Sequence, residues 1–288
     1  MNPASLGDAL RAARSRLAQA LGLDSGVATL EAQVLLGHIL NRPRAYLLAH
    51  PEAALTDSDQ SQFETLLARR ERGEPIAYLT GLREFYGLEF LVTPDVLIPR
   101  PETELLVELA LKLISPDSPI RILDLGTGSG AIGITLAKLR PLAQITAVDA
   151  SLPALALALL NATRLGIPNI RFIESNWFST LDESNRFELI VANPPYVAEN
   201  DPHLTQGDVR FEPIMALTAG AEGRDAIRHI AHTSPHFLQP GGRLLFEHGY
   251  DQAVFSRDLL LSLGYADIAC YPDLGGQPRV TCCKNHGL

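Results

Sequence analysis

Apolar positions along this chain change their spacing as the chain proceeds. Leu6, Leu10, Ala13 and Leu17 fall on one helical face, and Phe63, Leu66 and Leu67 follow Thr56 and Asp59, whose separation matches a capping box. Pro43 suits a first helical turn and Gly73 a helix end. Several short helices, packed as a small bundle, are therefore expected over residues 1–75. From Tyr78 to Val92 the pattern becomes Leu79-Thr80-Gly81, Phe85-Tyr86-Gly87 and Leu88-Glu89-Phe90-Leu91-Val92. Glycines at the turns with aromatic and β-branched residues between them predict a β-hairpin connector, assigned to residues 76–97.

Residues 98–288 read as a separate, larger domain. Ile98-Pro99-Arg100-Pro101-Glu102-Thr103-Glu104 is a stiff extended approach to a helix whose apolar side is Leu105, Leu106, Leu109 and Leu113. Glu102 and Thr103 suit no more than a helix start, whereas Arg100, held between two prolines, is positioned more tightly than solvation requires. Strands are predicted at Ile120–Leu125, Ile145–Val148, Ile170–Ile173, Leu189–Ala192 and Gly242–His248, with helices at Ala131–Leu139 and Leu152–Leu165. In the second helix the leucines are expected in the core, with Asn161 and Arg164 outward. Cys270-Tyr271-Pro272-Asp273 and Val280-Thr281-Cys282-Cys283 suggest a closing antiparallel pair, and Gly275-Gly276-Gln277 its turn.

The run Leu189-Ile190-Val191-Ala192 stops on Asn193-Pro194-Pro195-Tyr196. Neither proline has an N–H to give a sheet ladder, so the strand ends there. Asn193, preceding a proline, is extended, with its side chain held at the strand's carboxyl edge, where open α/β sheets bind ligands. Such a corner suits methylation of a planar –NH2 group. The lone pair of that nitrogen is delocalised, so both N–H bonds must be fixed before it attacks a methyl donor. The Asn193 side-chain oxygen can accept one N–H and the Pro194 carbonyl the other, while Tyr196 covers the flat face of the target. A strand-ending Pro-Pro turn with an ordinary cap residue is the plainer alternative for these residues alone.

Strand Ile120–Leu125 runs through Asp124 into Gly126-Thr127-Gly128-Ser129-Gly130 and then a helix. Glycines let a nucleotide-type cofactor approach the backbone, and the helix start faces a negative group. The spacing is G-x-G-x-G, not the G-x-G-x-x-G of dinucleotide enzymes. Asp124 repels a pyrophosphate but suits a cofactor with an ammonium beside its carboxylate, as in S-adenosylmethionine. Asp149, ending the next strand, is placed to accept hydrogen bonds from ribose hydroxyls. In Ser175-Asn176-Trp177-Phe178 the apolar pair can wall an adenine while Asn176 reads its edge, or Asn176 is simply a satisfied loop amide.

Composition narrows the picture. At 288 residues and 46% hydrophobic content the chain supports a full core. Asp8, Arg11, Arg14 and Arg16 in the first helical stretch argue against a signal peptide, and no apolar run reaches membrane-spanning length, so a cytoplasmic protein with no membrane partner is expected. Cys270, Cys282 and Cys283 lack metal-ligand spacing and read as structural, and no metal site is expected. The net charge of −9 is uneven: residues 1–78 hold 8 Lys+Arg against 9 Asp+Glu, leaving 16 against 24 beyond them. Clustered Lys and Arg are what phosphate contacts need, so so acidic a domain argues against non-specific nucleic-acid binding.

Four segments, Ile98 to Glu104, Asp124 to Gly130, Asn193 to Tyr196, and Gly207-Asp208-Val209-Arg210-Phe211-Glu212-Pro213, together match one family. Over essentially its full length the chain resembles the peptide chain release factor glutamine N5-methyltransferases. Asn-Pro-Pro-Tyr alone is shared with adenine-N6 DNA and guanine-N2 RNA methyltransferases; the proline-rich approach and the Gly207–Pro213 stretch are more specific. The resemblance implies an α/β class I (Rossmann-like) methyltransferase with a mostly parallel seven-stranded sheet, preceded by the helical domain and hairpin. It implies S-adenosylmethionine as cofactor and, as substrate, the glutamine of the Gly-Gly-Gln motif of bacterial-type release factors. Release factors are then the partners, with no direct nucleic acid; a monomer is expected. The residues implied are Asp124, Gly126, Thr127, Gly128, Gly130, Asp149, Asn176, Trp177 and Asn193 for the cofactor, and Asn193, Pro194, Pro195, Tyr196 and Arg100 for the substrate, with Asn193, Pro194 and Tyr196 catalytic. Asn176 departs from the Asp that members often carry before Trp-Phe, keeping an acceptor oxygen without its charge. The helical domain then docks the substrate, or is a lid packed on the larger domain. A nucleic-acid amino methyltransferase and a non-catalytic cofactor-binding protein that holds a translation factor are the competing readings.

Overall fold

The computed structural model describes residues 5–286, so the first four and last two positions of the expected domains lie outside the described residues. Within residues 5–82 the helical periodicity is realised as α1 (Leu6–Leu21), α2 (Ser25–Leu40), α3 (Arg44–Ala49), α4 (Asp57–Glu71) and α5 (Ile76–Thr80). Side chains of Ser5, Asp24 and Thr56 accept from the backbone N–H groups that open α1, α2 and α4. Leu6, Ala13 and Leu17 of α1 are buried with Leu35, Leu36, Phe63 and Leu67 in one core. Each such large side chain contributes about 1.5–3 kcal/mol on leaving water. Pro43 stands just outside α3 as its N-cap, and Gly73 takes a φ of 93° after α4.

Thr205–Phe211, distant in sequence, belongs to this helical unit, while Arg83–Leu204 and Glu212 onward form a second unit. The anchor within the first unit is Arg70, buried on α4. It makes a paired contact with Glu31 at 2.8 and 2.9 Å and donates to Asp208 at 2.8 Å.

The hairpin is shorter than its expected span, because Ile76–Thr80 is helix: Ala77, Tyr78 and Leu79 are buried, and Gly81 ends α5 with a φ of 71°. The paired strands are β1 (Leu82–Phe85) and β2 (Leu88–Leu91). A 3-10 turn at Pro101–Thr103 then leads into α6 (Glu104–Leu113). The succession β3 (Arg121–Leu125), α7 (Ala131–Leu139), β4 (Gln144–Asp149), α8 (Leu152–Leu165), β5 (Ile170–Glu174) and β6 (Phe187–Ala192) follows. The unit closes with α9 (Asp225–Phe237), β7 (Leu238–Glu247), α10 (Ala253–Ser262), β8 (Ala266–Pro272) and β9 (Pro278–Lys284).

Strands β3 to β9 form one seven-stranded sheet in the order β5-β4-β3-β6-β7-β9-β8, parallel except where β9 runs against β7 and β8. From β3 the chain proceeds outward to β4 and β5, then returns to lay β6 on the other side. The crevice beyond the carboxyl ends of β3 and β6 is thus the switch point at which such sheets bind ligands. Period-two alternation sends Ile122, Leu189, Val191 and Leu245 to the face covered by α6 and α7, and Leu123, Ile190, Leu244 and Phe246 to the face covered by α9. Cys282 and Cys283 go to opposite faces, both buried.

Two expectations for the helices need correction. Asn161 is fully buried, not outward: its amide nitrogen donates to the Leu91 and Ser129 carbonyls and its oxygen accepts from the Leu91 N–H, tying β2 to the glycine turn. Conversely Leu113, Leu152, Leu159 and Leu160 are exposed, because these helices cover the sheet with a stripe narrower than their leucine content. Gly275-Gly276-Gln277 forms the β8–β9 turn, in which the Asp273 carboxylate accepts from the Gly275 and Gln277 N–H groups.

Candidate active site

Beyond β3 the chain turns through Gly126, Gly128 and Gly130 with φ of 68°, 54° and 85°, values that a side chain strains to adopt. Asp124 braces this turn from within. Its Oδ2 accepts from the Thr127 hydroxyl at 2.6 Å and from the Gly133 N–H at 3.0 Å. Burial pushes its carboxyl up to about 6 against those two donors. Asp124 is wholly shielded from solvent, and while its Oδ2 shapes the turn, its Oδ1 has no hydrogen-bond partner among the described residues, an acceptor of the kind the expected ammonium contact needs. Asp149, ending β4, accepts from the Gly128 and Ser151 N–H groups, both at 2.9 Å, and lines the cavity.

The cavity measures about 1290 Å³. Gly126, Thr127, Gly128 and Asp149 line it together with Asn176, Trp177 and Phe178, Asn193 and Pro195, and Ile214 and Met215 of the loop after Pro213. Trp177, at a φ of 55°, brings its ring over Gly126, where an added Cβ would sit 3.5 Å from it. Asn176 is exposed beside it, and Phe178 turns inward to stack on Phe237 with ring centroids 4.8 Å apart. An added Cβ on Gly128 would meet no heavy atom within 4 Å, so the backbone there is open to a ligand. An open glycine backbone, a strand-end carboxylate and an aromatic wall are the donor set that a nucleoside sulfonium amino acid needs. The residues fit S-adenosylmethionine.

Across the switch point, Leu125 and Ala192 are register partners, so Asn193 lies next to the glycine turn. Its amide nitrogen donates to the Thr103 hydroxyl at 3.1 Å. That hydroxyl donates to Glu247 Oε2 at 2.7 Å, and the Tyr196 hydroxyl donates to Glu247 Oε1 at 3.2 Å. Strand phase explains the meeting: Asn193 continues the alternation of Leu189 and Val191, Glu247 that of Leu245, and both face the side on which Thr103 opens α6. Burial, countered by the Thr103 hydrogen bond and the Arg279 charge, pushes the Glu247 carboxyl up to about 7, while burial and the Glu247 charge push the Tyr196 phenol well above its usual value. The Tyr196 carbonyl accepts from Gln252 at 3.0 Å, which pins the backbone of the corner.

The expected substrate residue Arg100 pairs with Glu212, whose side chain is fully buried and which also accepts from the Ile98 N–H at 3.1 Å. Arg100 thereby fastens the proline-rich approach to the loop at Glu212, and it does not line the cavity. Pro194 is buried at the corner. Thr103 and Glu247 were not singled out by their sequence; the available signal was an acidic residue closing the apolar run Leu244-Leu245-Phe246.

Sheet order, glycine turn and strand-end carboxylate define a Rossmann-like methyltransferase, whose methyl donor is S-adenosylmethionine. A solved methyltransferase from Pyrococcus furiosus shares the fold, with 18% identity and a TM-score of 0.53 over 78% of this chain and all of that one. Family models described as PrmC N-terminal domain and Methyltransferase small domain match residues 8–81 and 102–209. Release factor glutamine methyltransferase of Vibrio cholerae is 52% identical over 95% of this chain and 94% of its own length, and that of Escherichia coli 49% identical over 87% and 90%. The chain belongs to the release factor glutamine methyltransferase family.

Proposed function

We propose that this protein transfers a methyl group from S-adenosylmethionine to the side-chain nitrogen (N5) of the glutamine in the Gly-Gly-Gln motif of bacterial-type peptide chain release factors. The observation that carries this reading is the engagement of Asn193. Asn193 lines the cavity, and its nitrogen is committed to Thr103, which leaves its oxygen for an incoming N–H.

When bound, S-adenosylmethionine supplies a methyl group on a positively charged sulfur, an electrophile that a neutral nitrogen can attack. The glycine turn and Asp149 are assigned to hold it, with Trp177 and Asn176 at its base. Asn193 Oδ1 and the Pro194 carbonyl accept the two N–H bonds of the glutamine amide, which turns the nitrogen lone pair out of conjugation and toward the methyl. Both acceptors gain strength as those hydrogens become more positive in the transition state. The Tyr196 ring, fixed through its hydroxyl, covers the amide plane, and Pro195 bounds the same side. No strong base is required, since the methylated nitrogen is acidic enough to pass its extra proton to water.

The release factor is proposed as protein partner and the protein as a monomer working in the cytoplasm, without direct nucleic-acid contact. No helix among the described residues is long and apolar enough to cross a membrane. Incubation with labelled S-adenosylmethionine, offering release factor and nucleic acid in parallel, tests the reading. Label is expected on the release factor alone; label on nucleic acid, or cofactor binding without turnover, overturns it.

A further inference from the structure

We propose that Glu247 and Thr103 are positioning residues for amide methylation: one buried carboxylate, acting through the Thr103 hydroxyl, sets which end of the Asn193 amide faces the substrate and also holds Tyr196. The proposal rests on the functional reading above.

The two ends of an asparagine amide have nearly the same shape but opposite chemistry. With the oxygen toward the substrate, the residue accepts the substrate N–H; with the nitrogen there, two N–H groups oppose each other. Proton accounting in the cluster allows one arrangement. An ionised Glu247 has only acceptors, so it takes the single proton of Thr103 on Oε2 and that of Tyr196 on Oε1. Thr103 Oγ1 then presents only lone pairs to Asn193, and only the amide nitrogen can lie against it. The reversed amide sets lone pair against lone pair. Thr103 is 4% exposed and Glu247 1%, so water does not stand in for either partner.

Three segments distant in sequence supply this relay: the turn before α6, the end of β6 and the end of β7. The same carboxylate that orients the acceptor also fixes the ring, so the two sides of the corner are set by one group. Neither Thr103 nor Glu247 donates to Asn193 Oδ1 or to the Pro194 carbonyl, so their action on the substrate is indirect.

The test is turnover and cofactor affinity of Thr103→Val, Thr103→Ser and Glu247→Gln at about pH 8.5, where the carboxyl is ionised. Valine keeps the shape of Thr103 without either hydrogen bond. It is expected to lower kcat by roughly 10- to 100-fold, with cofactor affinity by calorimetry within about 2-fold of wild type. Serine is expected to restore turnover to within about 3-fold of wild type. Glutamine, which must offer an N–H to one of the two hydroxyls, reads the same relay with Thr103 intact and is expected to lower kcat likewise. On an Asn193→Ala background, Thr103→Val is expected to change turnover by less than about 3-fold, because the group it orients is gone. Valine at wild-type turnover, serine as slow as valine, or a full valine effect repeated on the Asn193→Ala background overturns the relay. A wild-type enzyme that leaves release factor unlabelled overturns the functional reading instead.

Discussion

Asn193 and Asp149 carry opposite expectations at the scale of single residues. An acceptor that tightens only as the nitrogen turns tetrahedral affects turnover, so Asn193→Ala is expected to depress single-turnover rates by roughly 10²–10³-fold while leaving cofactor affinity nearly unchanged. Asn193→Asp retains an acceptor and part of the activity, although a carboxylate in a closed site is poorly solvated. Asp149 is the reverse case. Its two oxygens accept from Gly128 and Ser151, one N–H each, and the residue lines the cavity. Asp149→Ala is expected to weaken cofactor binding by about 1.5–3 kcal/mol by calorimetry, and unchanged affinity removes it from the cofactor set. Asn193 was legible because two prolines after a buried strand are a strong local signal. Thr103 was not, because in sequence it is one polar residue in a helix start. Its role comes from Glu247, 144 positions later, a pairing that exists only once the start of α6 meets the end of β7.

Among elements, the strands and crossover helices were set by local periodicity: α7 and α8 begin and end where the apolar pattern does. The misread elements are those in which tertiary burial outweighs local pattern. Ile76–Thr80 resembles a strand by its residues but is wound as a helical turn that packs Leu79 on the bundle core. Asn161, a polar residue in a leucine-rich helix, is buried to satisfy the Leu91 backbone. The end of β7 carries a testable consequence. Burial raises the Glu247 carboxyl from 4.5 to about 7, with Arg279 opposing and Glu102 adding to the shift. A raised acid contributes stability that is fully present below about 4.5 and lost as the pH climbs through about 7. Relative to Glu247→Gln, the wild-type protein is therefore expected to lose roughly 3 kcal/mol of stability over that interval, read by urea unfolding of both proteins at each pH. A stability difference that stays constant with pH contradicts the shift.

For the whole molecule, the chain leaves the catalytic unit after Leu204, joins the helical unit through Thr205–Phe211 and returns at Glu212. Sequence alone marked Gly207–Pro213 as family-like without revealing that its first part is held by Arg70, because the pairing of Arg70 with Asp208 spans 138 positions. Removing Arg70 strands the mostly buried Glu31 carboxylate and releases the more exposed Asp208, so Arg70→Ala is expected to destabilise the helical unit by about 3–5 kcal/mol and to raise hydrogen exchange across Gly207–Phe211. Exchange that is unchanged there contradicts the anchoring. We propose that the helical unit docks the release factor, since remote contacts can position the reacting amide. The most direct measurement is site-resolved mass spectrometry of an intact release factor after incubation with this protein and S-adenosylmethionine. One added methyl on the side-chain nitrogen of the Gly-Gly-Gln glutamine, absent with Asn193→Ala, is the expected result; an unmodified glutamine, or a methyl on any other residue, contradicts it.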